Sequence, residues 1–160
     1  MKSTVAIIKV DEKGIEAAVR RAVDLAGGWQ DIVTPNSKVL IKPNLFRPEP
    51  SGTGLVTDCR ITEAVTKMVL ESGPESVSIG DGAAAGYDFS ESVSTDEAFE
   101  LSGTAAVAHR YGVELRNLNR DGFEEVSVGH PYVMKKVRIA RTAPGIESAR
   151  VTIRFRIGKE

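Results

Sequence analysis

Val39-Leu40-Ile41-Lys42-Pro43-Asn44 decides the fold class of this chain. A short apolar run, part β-branched and too brief for a helix, reads as a strand buried on both faces. Pro43 has no amide proton for a sheet ladder and biases Lys42 towards an extended backbone, so the strand must end there. An ammonium and a carboxamide are thereby set together at the carboxyl end of a strand. In open α/β sheets that edge is where ligands bind.

Working outward, Thr4 to Val10 reads as a first strand, and Asp11 and Glu12 open an amphipathic helix with Ile15, Val19, Ala22, Val23 and Ala26 on one stripe. Gly27-Gly28 ends that helix. Lys38 to Lys42 is the second strand. The loop Leu45 to Gly54 carries two prolines and two glycines, and it is longer than a simple connection requires. Thr57 and Asp58 are N-cap residues for a helix whose buried stripe is Ile61, Ala64, Val65, Met68 and Val69. Ser76 to Ile79 is a third strand, followed by Gly80-Asp81-Gly82. Ser94 with Glu97 has capping-box spacing for a helix that Gly103 interrupts and Gly112 closes. Val113 to Leu118 is a fourth strand, and Glu124 to Val128 with Val133 to Ile139 form a hairpin. Val151, Ile153, Phe155 and Ile157 alternate with Thr152, Arg154 and Arg156, the pattern of a half-exposed strand. The order predicts one α/β domain over residues 1–160, a Rossmann-like layered domain with a mostly parallel central sheet and a C-terminal β-hairpin region. Right-handed crossovers would bring Lys42-Pro43-Asn44 and Gly80-Asp81-Gly82 to one edge of the sheet.

The totals narrow the function classes. At 160 residues the chain has the length for one real core, and 41% hydrophobic with 27% charged residues is ordinary for a globular protein. No apolar run approaches the ~20 residues of a membrane span, and the N-terminus lacks the pattern of a secretory signal. Cys59 stands alone, which fits a reducing cytoplasm and excludes an internal disulfide. It also excludes an iron–sulfur cluster or four-cysteine zinc site ligated by this chain alone. Residues 1–109 hold 10 basic and 16 acidic side chains, and residues 110–160 hold 11 and 6. The basic end lacks interleaved aromatics or a nucleic-acid motif, so a solvated strand face explains it better than a nucleic-acid partner.

Each candidate residue has two roles open to it. Lys42 and Asn44 would hold a carboxylate or phosphate, or else face solvent and cap a turn. Thr57 would add its hydroxyl and the following helix amides to the same anion, or act as an ordinary cap. Asp81, between Gly80 and Gly82, would hold a ligand hydroxyl or a cation, or shape a turn. The run from Gly80 to Gly86 misses the dinucleotide spacing at position 85. Cys59 reads as a small filler more readily than as a reactive thiolate. His109 and His130 belong to no metal-ligand cluster, and Arg47 and Arg141 are undecided between anion contact and solvent.

The ordered set of Val39 to Asn44, Val56-Thr57-Asp58 before a helix, Gly80-Asp81, Tyr111 to Leu115 and Lys135 to Thr142 resembles domain-of-unknown-function family 362. The similarity covers about residues 3–145. That family has no established reaction, and many members also carry a ferredoxin-like segment with iron–sulfur cysteines, which this chain lacks. Members continue past the region of Thr142 into another buried strand and a second half, so the resemblance implies a half-length version with a divergent end. Cys59 stands where a proline is common in the family. The resulting expectation is an uncharacterised, enzyme-like α/β domain binding a small anionic ligand, with its cofactor unknown. Two alternatives stand beside it: a redox accessory domain working with a ferredoxin-like partner, and a non-catalytic remnant that forms homo-oligomers.

Overall fold

The computed structural model describes residues 4–83, 94–130 and 132–142; the expected strand at 151–157 lies outside them. Helix α1 spans Gly14–Leu25 and buries Ala18, Val19 and Val23. Asp11 prepares its start, with Oδ1 accepting from the Lys13 amide at 2.9 Å and its carbonyl accepting from the Gly14 amide at 3.0 Å. The helix ends as Gly28 N–H donates back to the Val23 carbonyl at 2.9 Å, with Gly28 at φ +71°, a conformation that costs a side chain but not glycine. Strand β1 spans Lys38–Ile41, and α2 spans Cys59–Glu71. Strand β2 covers Ser76–Asp81, so Gly80 and Asp81 lie at the end of the strand itself. Helices α3 (Thr95–Leu101) and α4 (Thr104–Tyr111) follow, parted by Gly103 at φ +79°. Strand β3 is Glu114–Asn117, and β4 (Phe123–Ser127) pairs with β5 (Lys136–Ala140).

Strands β1, β2 and β3 lie side by side in that order, all parallel, with Ile41 opposite Ile79, Ile79 opposite Leu115 and Asp81 opposite Asn117. Alternation sends Val39, Ile41, Val77, Ile79 and Leu115 to one face, where they meet α1, α2 and α4 through Val19, Val23, Ile61, Met68, Val107 and Ala108. The other face carries Leu40, Ser78, Gly80 and Arg116. The expectation that β1 is buried on both faces is therefore corrected: Lys38 is exposed and Val39, Leu40 and Ile41 are half-buried. Among the described residues helices pack on the first face, and on the second Leu40, Ser78 and Arg116 are half-buried.

A second correction concerns Thr4 to Val10, which forms no strand. Val5 is 80% and Ile7 90% exposed, and a strand without a hydrogen-bonded neighbour has nothing to fix its backbone. The hairpin is present as expected, antiparallel, with Glu125 opposite Arg138 and the Arg138 guanidinium 4.4 Å from the Phe123 ring centroid. No helix among the described residues is long and apolar enough to cross a membrane.

Candidate functional site at the carboxyl edge of the sheet

Because β1 and β2 are parallel and in register, their exits lie side by side. Lys42 Nζ stands 2.6 Å from Asp81 Oδ1. The ammonium side chain is 54% exposed and the carboxylate 3%, so the pair joins a buried acid to a base that reaches solvent. This ion pair approaches Oδ1 outside hydrogen-bonding angles, leaving that buried oxygen charge-compensated but without a directed hydrogen bond. Asp81 Oδ2 accepts from the Leu45 amide at 2.7 Å. Both carboxylate oxygens are thus engaged from within the protein. Lys42 Nζ also lies 3.5 Å from the Pro43 carbonyl.

Asn44 and Thr57 form the neck of the long loop. The Asn44 amide donates to Thr57 Oγ1 at 2.8 Å, the Thr57 amide donates to the Asn44 carbonyl at 2.9 Å, and Leu45 bridges antiparallel to Val56. Leu45 and Val56 are buried with Ala83, Ala98 and Phe99, which anchors the neck in apolar packing. Thr57 is consequently not the cap of α2. Asp58 is: Oδ1 accepts from the Arg60 amide at 3.0 Å and its carbonyl accepts from Ile61 and Thr62. Ser51 Oγ accepts from the Cys59 amide at 2.8 Å while donating to the Ser102 carbonyl at 2.6 Å. The first-turn amides that an anion would have used are therefore occupied. The Arg60 side chain holds the Asp58 carboxyl below the ordinary aspartate range, outweighing the opposing effect of burial.

The two glycines are filled by protein atoms. A Cβ at Gly80 would lie 3.0 Å from the Arg116 carbonyl oxygen and 3.0 Å from Leu40 Cδ1. A Cβ at Gly82 would lie 2.4 Å from Asn119 Oδ1. Asn119 in turn donates through Nδ2 to the Ala83 carbonyl at 3.2 Å and to Thr95 Oγ1 at 3.4 Å, and Thr95 Oγ1 accepts from the Ala83 amide at 3.1 Å. Asn117 Nδ2 and Arg120 Nη1 both donate to the Asp96 carboxylate, at 3.1 and 3.0 Å. Sequence reasoning missed this third exit. Its signal was Asn117-Leu118-Asn119, carboxamides at a strand's carboxyl end just as Asn44 follows β1.

Of the predicted site residues, Lys42 and Asp81 meet directly, Asn44 and Thr57 clasp each other beside them, and Gly80 and Gly82 serve the packing around Asp81. Other candidates stand apart. Arg47 pairs with Glu49, Cys59 is half-buried beside Gly103, and His109 and His130 are exposed. Arg141 lies against Gly122. A shallow groove lined by Arg20, Val23, Trp29, Met68 and Glu71 sits at the C-terminal ends of α1 and α2. That end belongs to the amino edge of the strands, away from Lys42. Among the described residues no group of three or more His, Cys, Asp or Glu side chains is gathered for a metal ion.

The model of a family described as Domain of unknown function (DUF362) matches residues 39–153. No curated protein and no solved structure matches the chain.

Proposed function

The chain belongs to the DUF362 family, and from that premise we propose that it binds a small anionic ligand at the carboxyl edge of its parallel sheet, with Lys42 as the charged contact. The observation that carries this reading is the Lys42–Asp81 pair: a buried carboxylate holding a half-exposed ammonium at the lip of the sheet. Asp81 keeps the ammonium from sweeping through solvent and fixes the loop behind it through the Leu45 amide. Asp81 is a positioning residue here rather than a ligand contact.

Two further features support the reading. Thr57 Oγ1 accepts from Asn44, which leaves its hydroxyl proton to be donated outward, and the Asn44 carboxamide is exposed at the same neck. Donors in excess of acceptors suit a ligand rich in oxygen acceptors. Fixed donors around one oxygen-bearing group would also serve acyl, phosphoryl or proton-transfer chemistry by holding developing charge. We assign the protein to a reducing cytoplasm, on its lone Cys59.

A thermal-shift screen of carboxylates and phosphates tests this, run on the wild type and on Lys42→Ala. Stabilisation of the wild type that is lost in Lys42→Ala is the expected result. Equal stabilisation of both proteins would reject Lys42 as the contact, and no stabilisation by any anion would reject the function.

A further inference from the structure

We infer that the tip of the β4–β5 ribbon docks on an anionic phospholipid surface. Other residues than those of the Lys42 site carry this inference, and it does not depend on the anion-binding reading. The ribbon keeps its pairing to the tip: Ser127 lies opposite Lys136, and the Val128 amide still donates to the Lys135 carbonyl at 3.0 Å. Beyond that bond Tyr132, Val133 and Met134 stand in a row, Tyr132 fully exposed, Val133 88% and Met134 66%. A single exposed apolar side chain is ordinary on a protein surface. Three in succession at a turn are not, because turns favour small and polar residues.

Charge accompanies them. In the sequence Lys135, Lys136, Arg138 and Arg141 lie between Glu125 and Glu147, a stretch with no other Asp or Glu inside it. Lys136 is paired with Glu125 at 2.6 Å and is left out of the argument. Lys135 and Arg138 are exposed beside the tip. Arg138 lies 4.4 Å from the Phe123 ring centroid, a contact that leaves its charge intact. The acids sit further from the tip, Glu125 opposite Arg138 and Glu124 opposite Ile139.

Shape and sign together select the occupant. A protruding apolar knob needs surroundings that close around it, and a bilayer interface does so without a matching pocket. Tyrosine suits that depth, with its ring below the headgroups and its hydroxyl among them. Lys135 and Arg138 then meet lipid phosphates, which an anionic leaflet supplies. A second copy of the chain fits less well, because tip against tip sets Lys135 and Arg138 beside their own counterparts.

The experiment is co-sedimentation of the full chain with sucrose-loaded vesicles, either phosphatidylcholine alone or phosphatidylcholine mixed with phosphatidylglycerol. The wild type is expected to partition at least about tenfold more strongly onto the mixed vesicles. Raising the salt from about 0.1 M to about 1 M, which shortens the screening length from about 10 Å to about 3 Å, is expected to release it. The variant Tyr132→Ser, Val133→Ser, Met134→Ser changes exposed positions only, and its melting temperature is expected to match the wild type. It is expected to lose the binding, and Lys135→Glu is expected to weaken it severalfold. Absence of wild-type binding, or equal binding to both vesicles, overturns the inference. So does a folded triple-serine variant that still sediments with the mixed vesicles, since charge alone would then account for the attraction. Light scattering that shows a wild-type dimer abolished by the same three changes would assign the tip to a second copy and overturn it as well.

Discussion

Asp58 shows how one side chain sets both the local structure and its response to acid. It caps α2 through the Arg60 amide and pairs with the Arg60 guanidinium, Oδ2 to Nη2 at 2.7 Å. Asp58→Ala is expected to cost about 1–2 kcal/mol in urea unfolding, the usual loss of an N-cap. Its folded carboxyl titrates below the unfolded one, because Arg60 favours the charged form. The associated stability is therefore complete above about pH 4 and drains as the pH falls through the lower folded value. Unfolding followed at pH 7 and at pH 3 is expected to show a smaller acid loss in Asp58→Asn than in the wild type. Gly82 makes a different point, since its hydrogen occupies the space that Asn119 Oδ1 would contest. Gly82→Ala is expected to destabilise by about 1–3 kcal/mol through overpacking and the lost Asn119 hydrogen bonds. In an Asn119→Ala background the same change is expected to cost much less, which a double-mutant cycle reads directly. At this scale the sequence exposes residue type and strand position well: Lys42, Asn44 and Asp81 were all legible as strand-exit residues. It hides which groups consume one another. Thr57 turns to the Asn44 amide, and Asn119 fills the Gly82 gap, because the loop closures that bring them together span long separations in the chain.

Elements were legible where local chemistry alone specifies them. Ser94 accepts from the Glu97 amide at 3.1 Å as the capping spacing requires, and Gly103 and Gly112 break the chain in left-handed conformations. Elements that depend on a neighbour were harder to read. Val5-Ala6-Ile7-Ile8 has strand composition, yet the described residues give it no ladder. The β1 run looked buried on both sides because apolar density alone does not say how many layers cover a sheet. Ile7→Pro tests the first of these: Ile7 is 90% exposed, so the change removes an amide proton without disturbing packing. The melting temperature is expected to stay unchanged, within the range of ordinary surface substitutions. A drop of several degrees would mean that the segment pairs after all.

At the scale of the molecule, the parallel three-stranded sheet does one thing for function: it sets three strand exits at a common edge. The two ends of the β4–β5 ribbon are tied to each other where the Thr142 amide donates to Asp121 Oδ2 at 2.5 Å, and among the described residues its contacts are mostly its own, including Lys136 Nζ on Glu125 at 2.6 Å. Ribbons of two strands are marginal alone, so the rigid part that positions Lys42 is the helix-backed sheet. The exit geometry follows from parallel register, Ile41 against Ile79 and Asp81 against Asn117, and parallel register was readable from the alternation of strand and helix. The pairing of charges within it was not. The most direct measurement is a backbone amide NMR titration of the wild type with propionate. Shifts concentrated at Asn44, Leu45, Thr57 and Gly82 are the predicted result. Shifts centred on Trp29 and Ser72 in the groove at the opposite edge, or none at all, would contradict the assignment of the ligand site to Lys42 and its buried partner.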